Sequence, residues 1–109
     1  MYLKAANCYK LNKDWENATK AYLKCADCES EEQDKAAHYL EAAHCSKKFN
    51  TSLFLNLSQK AIDAYCLSGR ISSAAALAKE CADKLEEDHD YEEAIKFYER
   101  SADLYMMEE

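Results

Sequence analysis

The stretch Asp14-Trp-Glu-Asn-Ala-Thr-Lys-Ala-Tyr-Leu-Lys-Cys-Ala-Asp27 returns without a gap, 76 residues later, as Asp90-Tyr-Glu-Glu-Ala-Ile-Lys-Phe-Tyr-Glu-Arg-Ser-Ala-Asp103. Asp14 falls on Asp90, Glu16 on Glu92, Ala18 on Ala94, Lys20 on Lys96, Tyr22 on Tyr98 and Ala26 on Ala102. A separation of 76 is two repeats of 38, a period that belongs to arrays of helix hairpins. In the later copy Tyr91, Ala94, Ile95, Tyr98, Ala102 and Tyr105 recur at three- and four-residue steps and share one face of a helix. Glu92, Glu93, Lys96, Glu99, Arg100 and Asp103 take the other face, toward water. This pattern assigns Trp15, Tyr22, Tyr91, Tyr98 and Tyr105 to seams between adjacent helices.

A third, degenerate copy lies between these two. Leu53, Leu57 and Ala61 take the places of Ala18, Tyr22 and Ala26, with steps of 35 and then 41 residues between copies. The partner helices repeat as well: Leu3-Lys-Ala-Ala-Asn-Cys8 matches Leu40-Glu-Ala-Ala-His-Cys45, and Ala74-Ala-Ala-Leu-Ala-Lys-Glu-Cys-Ala82 is a looser third version. Small residues on one stripe let two helices approach closely. The expectation is one all-α domain over 1–109, a tetratricopeptide-like right-handed array of three antiparallel helix hairpins. Its six helices are expected at 2–11, 15–28, 33–48, 52–67, 72–87 and 91–106.

Composition agrees. The chain has no proline, one glycine (Gly69), two threonines, three isoleucines and no valine, so it holds helix formers and few turn or sheet formers. The joints carry capping residues: Asp14 and Asp90 for the second and sixth helices, Ser30 with Gln33 as a capping box for the third, and Asn50-Thr51-Ser52 for the fourth. Gly69 suits a left-handed helix stop, and Ser72 or Ser73 can start the fifth helix. Met1-Tyr2-Leu3 opens inside a helical pattern, and Tyr105-Met106-Met107 stops where another hairpin is expected, so the chain reads as a section of a longer array. Such a section is expected to be marginally stable or to self-associate through its open ends.

A formal net charge of −7 excludes nucleic acid and anionic lipid as partners of the molecule as a whole. No basic n-region with a long apolar core marks a signal peptide, and no apolar run approaches a membrane span. The six cysteines therefore read as reduced thiols in a cytosolic protein, and the sequons at Asn17, Asn50 and Asn56 as chance matches.

Several residues in series resemble one family. They are Ala5-Ala-Asn7, Tyr9-Lys10, Lys13 with Trp15, Lys47-Lys48, Ala61-Ile62 with Tyr65, Gly69-Arg70, Ala94-Ile95 with Tyr98-Glu99, and Ser101-Ala-Asp103. In this order they resemble the soluble NSF attachment proteins, the α type rather than the γ type, over nearly the whole chain. The resemblance implies an adaptor that coats the assembled SNARE four-helix bundle, syntaxin-like SNAREs included, and recruits the NSF-type AAA+ ATPase that takes the bundle apart. It implies a cytoplasmic protein peripherally associated with membranes. The family's membrane-touching loop lies upstream of the region matching Met1 and its ATPase-engaging bundle beyond Glu109, so membrane contact here is only indirect. The family grips the acidic SNARE bundle with basic residues, and the matching positions here are Lys47, Lys48 and Arg70. On the helix after Gly69-Arg70 this chain has Ala76 where the α type has a basic residue.

Other constellations compete with that reading. Lys47 and Lys48 equally suit a helix C-terminus and its dipole. Cys25-Ala-Asp-Cys28 has the spacing of half a zinc site or a redox pair, with His38, His44 and Cys45 as conceivable further ligands, although cysteine on a helix commonly serves as a small hydrophobe. Asn7, Lys10 and Lys47 offer the residue types of a carboxylate clamp, which would make the array an unrelated peptide-binding scaffold. No phosphate loop can be built from one glycine, and no Ser or Cys nucleophile has an evident His partner, so neither enzyme activity nor a cofactor is expected.

Overall fold

The computed structural model describes residues 2–108. They form six helices: α1 (Tyr2–Leu11), α2 (Trp15–Cys28), α3 (Glu32–Ser46), α4 (Thr51–Leu67), α5 (Ile71–Glu87) and α6 (Tyr91–Glu108). Every end falls within two residues of its expected place, and among the described residues there is no strand. Each helix packs chiefly on its neighbours in sequence, α1 on α2, α2 on α3, and so on to α6. The result is a slab with principal extents of 39 × 32 × 16 Å. Two layers of helices about 9 Å apart account for the thin dimension.

Alanine sets that spacing. Ala6, Ala18, Ala26, Ala36, Ala42, Ala43, Ala61, Ala74, Ala75, Ala78 and Ala82 are all fully enclosed, with Tyr22, Phe54, Leu57, Ile62, Leu77 and Leu85 filling the wider gaps. Cys25, Cys45 and Cys81 are buried among them, whereas Cys8 and Cys28 are exposed. The core divides into two clusters. One draws on all six helices, and the other joins α3, α4, α5 and α6 through Ala36, Ile62, Ala75, Leu77 and Leu104.

The α6 face departs from expectation. Its buried stripe is Ala94, Phe97, Ser101 and Leu104, held on α5 by the Ser101 Oγ–H donating to the Ala75 carbonyl at 2.9 Å. Tyr91, Ile95 and Tyr105 are exposed and Tyr98 is half-buried, its hydroxyl donating to Asp83 at the rim. In α2 the matching Tyr22 is buried and Trp15 half-buried. The difference has a physical reason: α2 has a helix after it, α3, and α6 has none among the described residues.

Turn chemistry differs from expectation too. Asn50 caps α4 as expected, accepting from the Leu53 N–H at 3.1 Å. Asp14 makes no cap bond; its carboxylate accepts from the Asn17 side chain at 2.8 Å. Asp90 caps α6 as expected, its Oδ1 accepting a long bond from the Glu93 N–H at 3.5 Å. Ser30 and Gln33 form no capping box, because α3 begins at Glu32 with Glu31 as its N-cap. Arg70, not Ser72 or Ser73, is the N-cap of α5. Gly69 (φ 81°) makes the left-handed stop expected of it, and Lys13 (φ 59°) and His89 (φ 65°) close two further joints in the same way. At each, the N–H of the next residue reaches back five residues: Asp14 to Tyr9, Arg70 to Tyr65 and Asp90 to Leu85. This is the Schellman stop. Lys13 and His89 are themselves one repeat pair, so the copies share a strained backbone as well as side chains.

Left-handed φ costs a residue with a Cβ about 1 kcal/mol and glycine almost nothing. His89→Gly is expected to raise stability by about that amount. Gly69→Ala is expected to lower it similarly, although nothing lies within 4 Å of the added Cβ. Urea midpoints at fixed protein concentration check both; a Gly69→Ala chain as stable as the parent would refute the backbone account.

Candidate functional site

In an up-and-down array, turns that close hairpins gather on one edge and turns that join hairpins on the other. The first edge carries 12–14, 47–50 and 88–90, and the second 29–31 and 68–70. Lys47 and Lys48 therefore stand together on the hairpin-closing edge. Arg70 opens α5 on the opposite edge, ten residues from Glu80, which Lys47 approaches. That is about 15 Å of helix rise. The structure brings the two lysines together and leaves Arg70 apart.

Local packing gives the three residues different freedom. Lys47 is half-buried at the end of α3, its Nζ 3.9 Å from Glu80 Oε2 and 5.3 Å from the Phe54 ring centroid. Lys48 is exposed, and its ammonium lies 5.7 Å over the Trp15 ring of α2. Arg70 is exposed beside Tyr65, and its charge opposes the upward push that burial gives the Tyr65 phenol. Near Trp15, Lys10 and Lys13 line a hollow with Asn7 and Leu11. Together with Lys47 and Lys48 they make the stretch of this edge around Trp15 basic, whereas its 88–90 turn carries Asp88 and Asp90. Lys13 was passed over as a partner of Lys47 and Lys48, and Lys10 was grouped with Lys47 only as part of a carboxylate clamp; the alternation of turns between edges is the signal that groups all four.

Glu80 was also missed. This α5 carboxylate meets α3 directly: His44 Nε2 hydrogen-bonds Oε1 at 3.2 Å and lies 2.9 Å from Oε2, while Lys47 completes the cluster. Oε2 is enclosed and lies off the hydrogen-bonding direction of both neighbours. The bond from His44 holds the Glu80 carboxyl below the usual range against the opposing effect of burial, and Lys47 adds to it. Glu80 closes one end of a groove of about 210 Å³ between α3 and α5, lined by Leu40, His44, Tyr65, Ser73, Ala76 and Leu77. Ala76 thus lies in the groove between Arg70 and Lys47, and the groove floor carries no cation there.

The rival constellations fare differently. Asn7, Lys10 and Lys47 do not converge on an open carboxylate site, because each is already engaged. Asn7 Oδ1 accepts from the Tyr22 hydroxyl at 2.6 Å, Lys10 pairs with Glu41 at 2.8 Å, and Lys47 faces Glu80. Cys25, Cys28, His38 and Glu29 line one groove beside Tyr2 and Leu3, while His44 and Cys45 lie elsewhere on α3. No three His, Cys, Asp or Glu side chains among the described residues are gathered so as to hold a metal. Burial pushes the Cys25 and Cys45 thiols up, and Cys81 up to about 11, which disfavours the thiolate that nucleophilic or redox chemistry uses.

No described helix is long and apolar enough to cross a membrane. The fold and its edges define an open, all-α array of helix hairpins that presents charge for contact. The family model for soluble NSF attachment protein matches residues 1–109. The chain is 35% identical to an alpha-soluble NSF attachment protein of Vitis vinifera over 99% of its own length, 35% identical to the beta form of Bos taurus over 100%, and 34% identical to the alpha form of Homo sapiens over 100%. It belongs to the soluble NSF attachment protein family. It spans 38% of the length of these relatives.

The depressed Glu80 pKa fixes a direction for acid. Its contribution to stability is complete above the unfolded carboxyl value of about 4.3 and is lost as pH falls through the lower folded value. Glu80→Gln is expected to be less stable than the parent near neutrality, by no more than about 1 kcal/mol for a half-exposed pair. The two curves should converge as pH falls through the folded value, which lies below the unfolded one of about 4.3. Thermal melts across pH check it, and a constant gap down to that acid limit would remove the electrostatic account.

Proposed function

We propose that this chain is an adaptor section that binds the assembled SNARE four-helix bundle and, in the context of its family, links that bundle to the NSF-type AAA+ ATPase for disassembly in vesicle fusion and transport. The observation that carries the reading is membership of the soluble NSF attachment protein family over the full 109 residues. The geometry supports it by gathering Lys47 and Lys48, with Lys13 nearby, on the hairpin-closing edge. An acidic helical bundle lying along that edge would meet several cations at once, and charge matching of this kind governs encounter and register more than bulk affinity.

Within this reading Lys48 is the principal contact, being exposed and outside any ion pair among the described residues. Lys47 contributes from a half-buried position shared with Glu80. Arg70 makes a separate contact from the far edge, reached across the α3–α5 groove. The chain acts by shape and charge, without catalysis. It works in the cytoplasm, and its association with membranes is peripheral, through the membrane-anchored bundle it holds.

Lys47→Glu combined with Lys48→Glu is expected to lower capture of assembled bundles at low salt by about tenfold or more, and raised salt is expected to weaken the parent chain toward the same level. Arg70→Glu tested alone reads the second edge. A pull-down comparing assembled with unassembled SNAREs is the measurement. Equal capture of both forms, or a double variant that binds like the parent, would overturn the proposal.

A further inference from the structure

Two cations of the hairpin-closing edge are repeat equivalents that the fold holds differently. Lys10 and Lys47 are related by the spacing of 37 that relates Leu3 to Leu40. Each faces a carboxylate on the next helix of its own layer, Lys10 of α1 meeting Glu41 of α3 and Lys47 of α3 meeting Glu80 of α5. The first pair is a hydrogen-bonded contact of 2.8 Å. The second is 3.9 Å long, and Glu80 Oε2 takes no hydrogen bond from it. Lys10 is committed to its partner, and Lys47 is held loosely.

The surroundings of Glu80 explain the difference. His44 of α3 hydrogen-bonds Oε1 at 3.2 Å and lies 2.9 Å from Oε2, so the carboxylate keeps its place whether or not Lys47 stays. Lys47 has this one acidic contact among the described residues, together with the Phe54 ring of α4, and a third of its side chain is open to water. Its neighbour Lys48 leans the other way, over Trp15 of α2. A carboxylate arriving from outside can therefore replace Glu80 at Lys47 without breaking a hydrogen bond of the fold. Glu80 stays behind at close range, where it both competes for the ammonium and repels the incoming charge.

We propose that Glu80 is a built-in competitor for the partner's carboxylate at Lys47. It holds the ammonium back from the hairpin-closing edge and lowers affinity for acidic surfaces. This rests on the adaptor reading above, in which Lys47 contacts the acidic bundle. A partner gains Lys47 only by displacing Glu80, so the contact selects against weakly acidic surfaces. Glu80 is a positioning residue that acts on the partner through Lys47.

The signature is opposition between stability and binding. Glu80→Gln, less stable than the parent near neutrality but folded by circular dichroism, is expected to capture assembled SNARE bundles about threefold more tightly at low salt, the scale of one half-exposed ion pair. A side chain that only braced the fold would weaken capture when removed. Glu99→Gln takes the same charge from an exposed position on α6 and is expected to bind like the parent. In a Lys47→Gln background, Glu80→Gln is expected to add nothing. A second measurement needs no SNARE: trace labelling of the folded chain with acetic anhydride, read by mass spectrometry against Lys24 in the same molecule. Glu80→Gln is expected to speed labelling of Lys47 and leave Lys48 unchanged. Lys47 labelling that does not respond to Glu80→Gln would overturn the proposal. So would a gain in capture that Glu99→Gln matches or that survives Lys47→Gln, or no gain at all in a chain whose capture Lys47→Gln weakens. Labelling that responds in a chain that captures assembled and unassembled SNAREs equally would support the competition at Lys47 and overturn the adaptor reading instead.

Discussion

Close approach of helices through alanine is the constraint on which everything else in this molecule rests. With Ala42, Ala43, Ala74, Ala75, Ala78 and Ala82 fully enclosed, α3 and α5 can lie close against the second layer without large side chains between them. Alanine brings little apolar area of its own, however, so no single central core forms. Burial is spread along the slab, each helix drawing on the one before and the one after. A molecule 16 Å thick has two broad surfaces, two edges and two ends, and almost every side chain is near one of them. That geometry puts most side chains within reach of a neighbouring molecule.

Polar ties between repeats supply what alanine does not. Lys10 of α1 meets Glu41 of α3, His44 of α3 meets Glu80 of α5, and Asp63 of α4 meets Arg100 of α6, at sequence separations of 31, 36 and 37. Each spans two helices of one layer and skips the helix between, so the set braces the slab against bending. Individually such half-exposed pairs contribute modestly. Their consequence for function is larger. By engaging Lys10 and part of Lys47 internally, they leave Lys48, beside the Trp15 ring, and Lys13 as the cations of the basic stretch of the hairpin-closing edge outside any ion pair among the described residues.

The helices were legible in the sequence because a repeat states the same thing several times. An error in one copy, such as the degenerate middle helix, is corrected by the other two. Helix stops were less legible. A left-handed residue at Lys13 or His89 carries no glycine to announce it, and an Asp before a helix signals a cap whether or not the bond is made. The seam of α6 was misread for a different reason. An amphipathic pattern tells which residues dislike water, but Ile95 and Phe97 satisfy it equally, and only the position of α5 decides that Phe97 is covered and Ile95 is not. The basic residues were legible as types and not as a surface. Lys47, Lys48 and Arg70 read as a set along the chain, whereas alternation of the turns sends the first two to one edge and the third to the other.

That division of charge carries through to the whole molecule. The acidic excess lies in 29–46 and from Glu80 onward, through Asp83, Glu86, Glu87, Asp88 and Asp90 into α6, while the first hairpin holds Lys4, Lys10, Lys13, Lys20 and Lys24. A net charge of −7 therefore describes no part of the surface that a partner would meet. At 0.15 M salt, screening acts over about 8 Å, well short of the slab's length, so each region presents its own sign. An acidic partner lying along the hairpin-closing edge would meet Lys10, Lys13, Lys47 and Lys48 toward α1 and Asp88 and Asp90 toward α6.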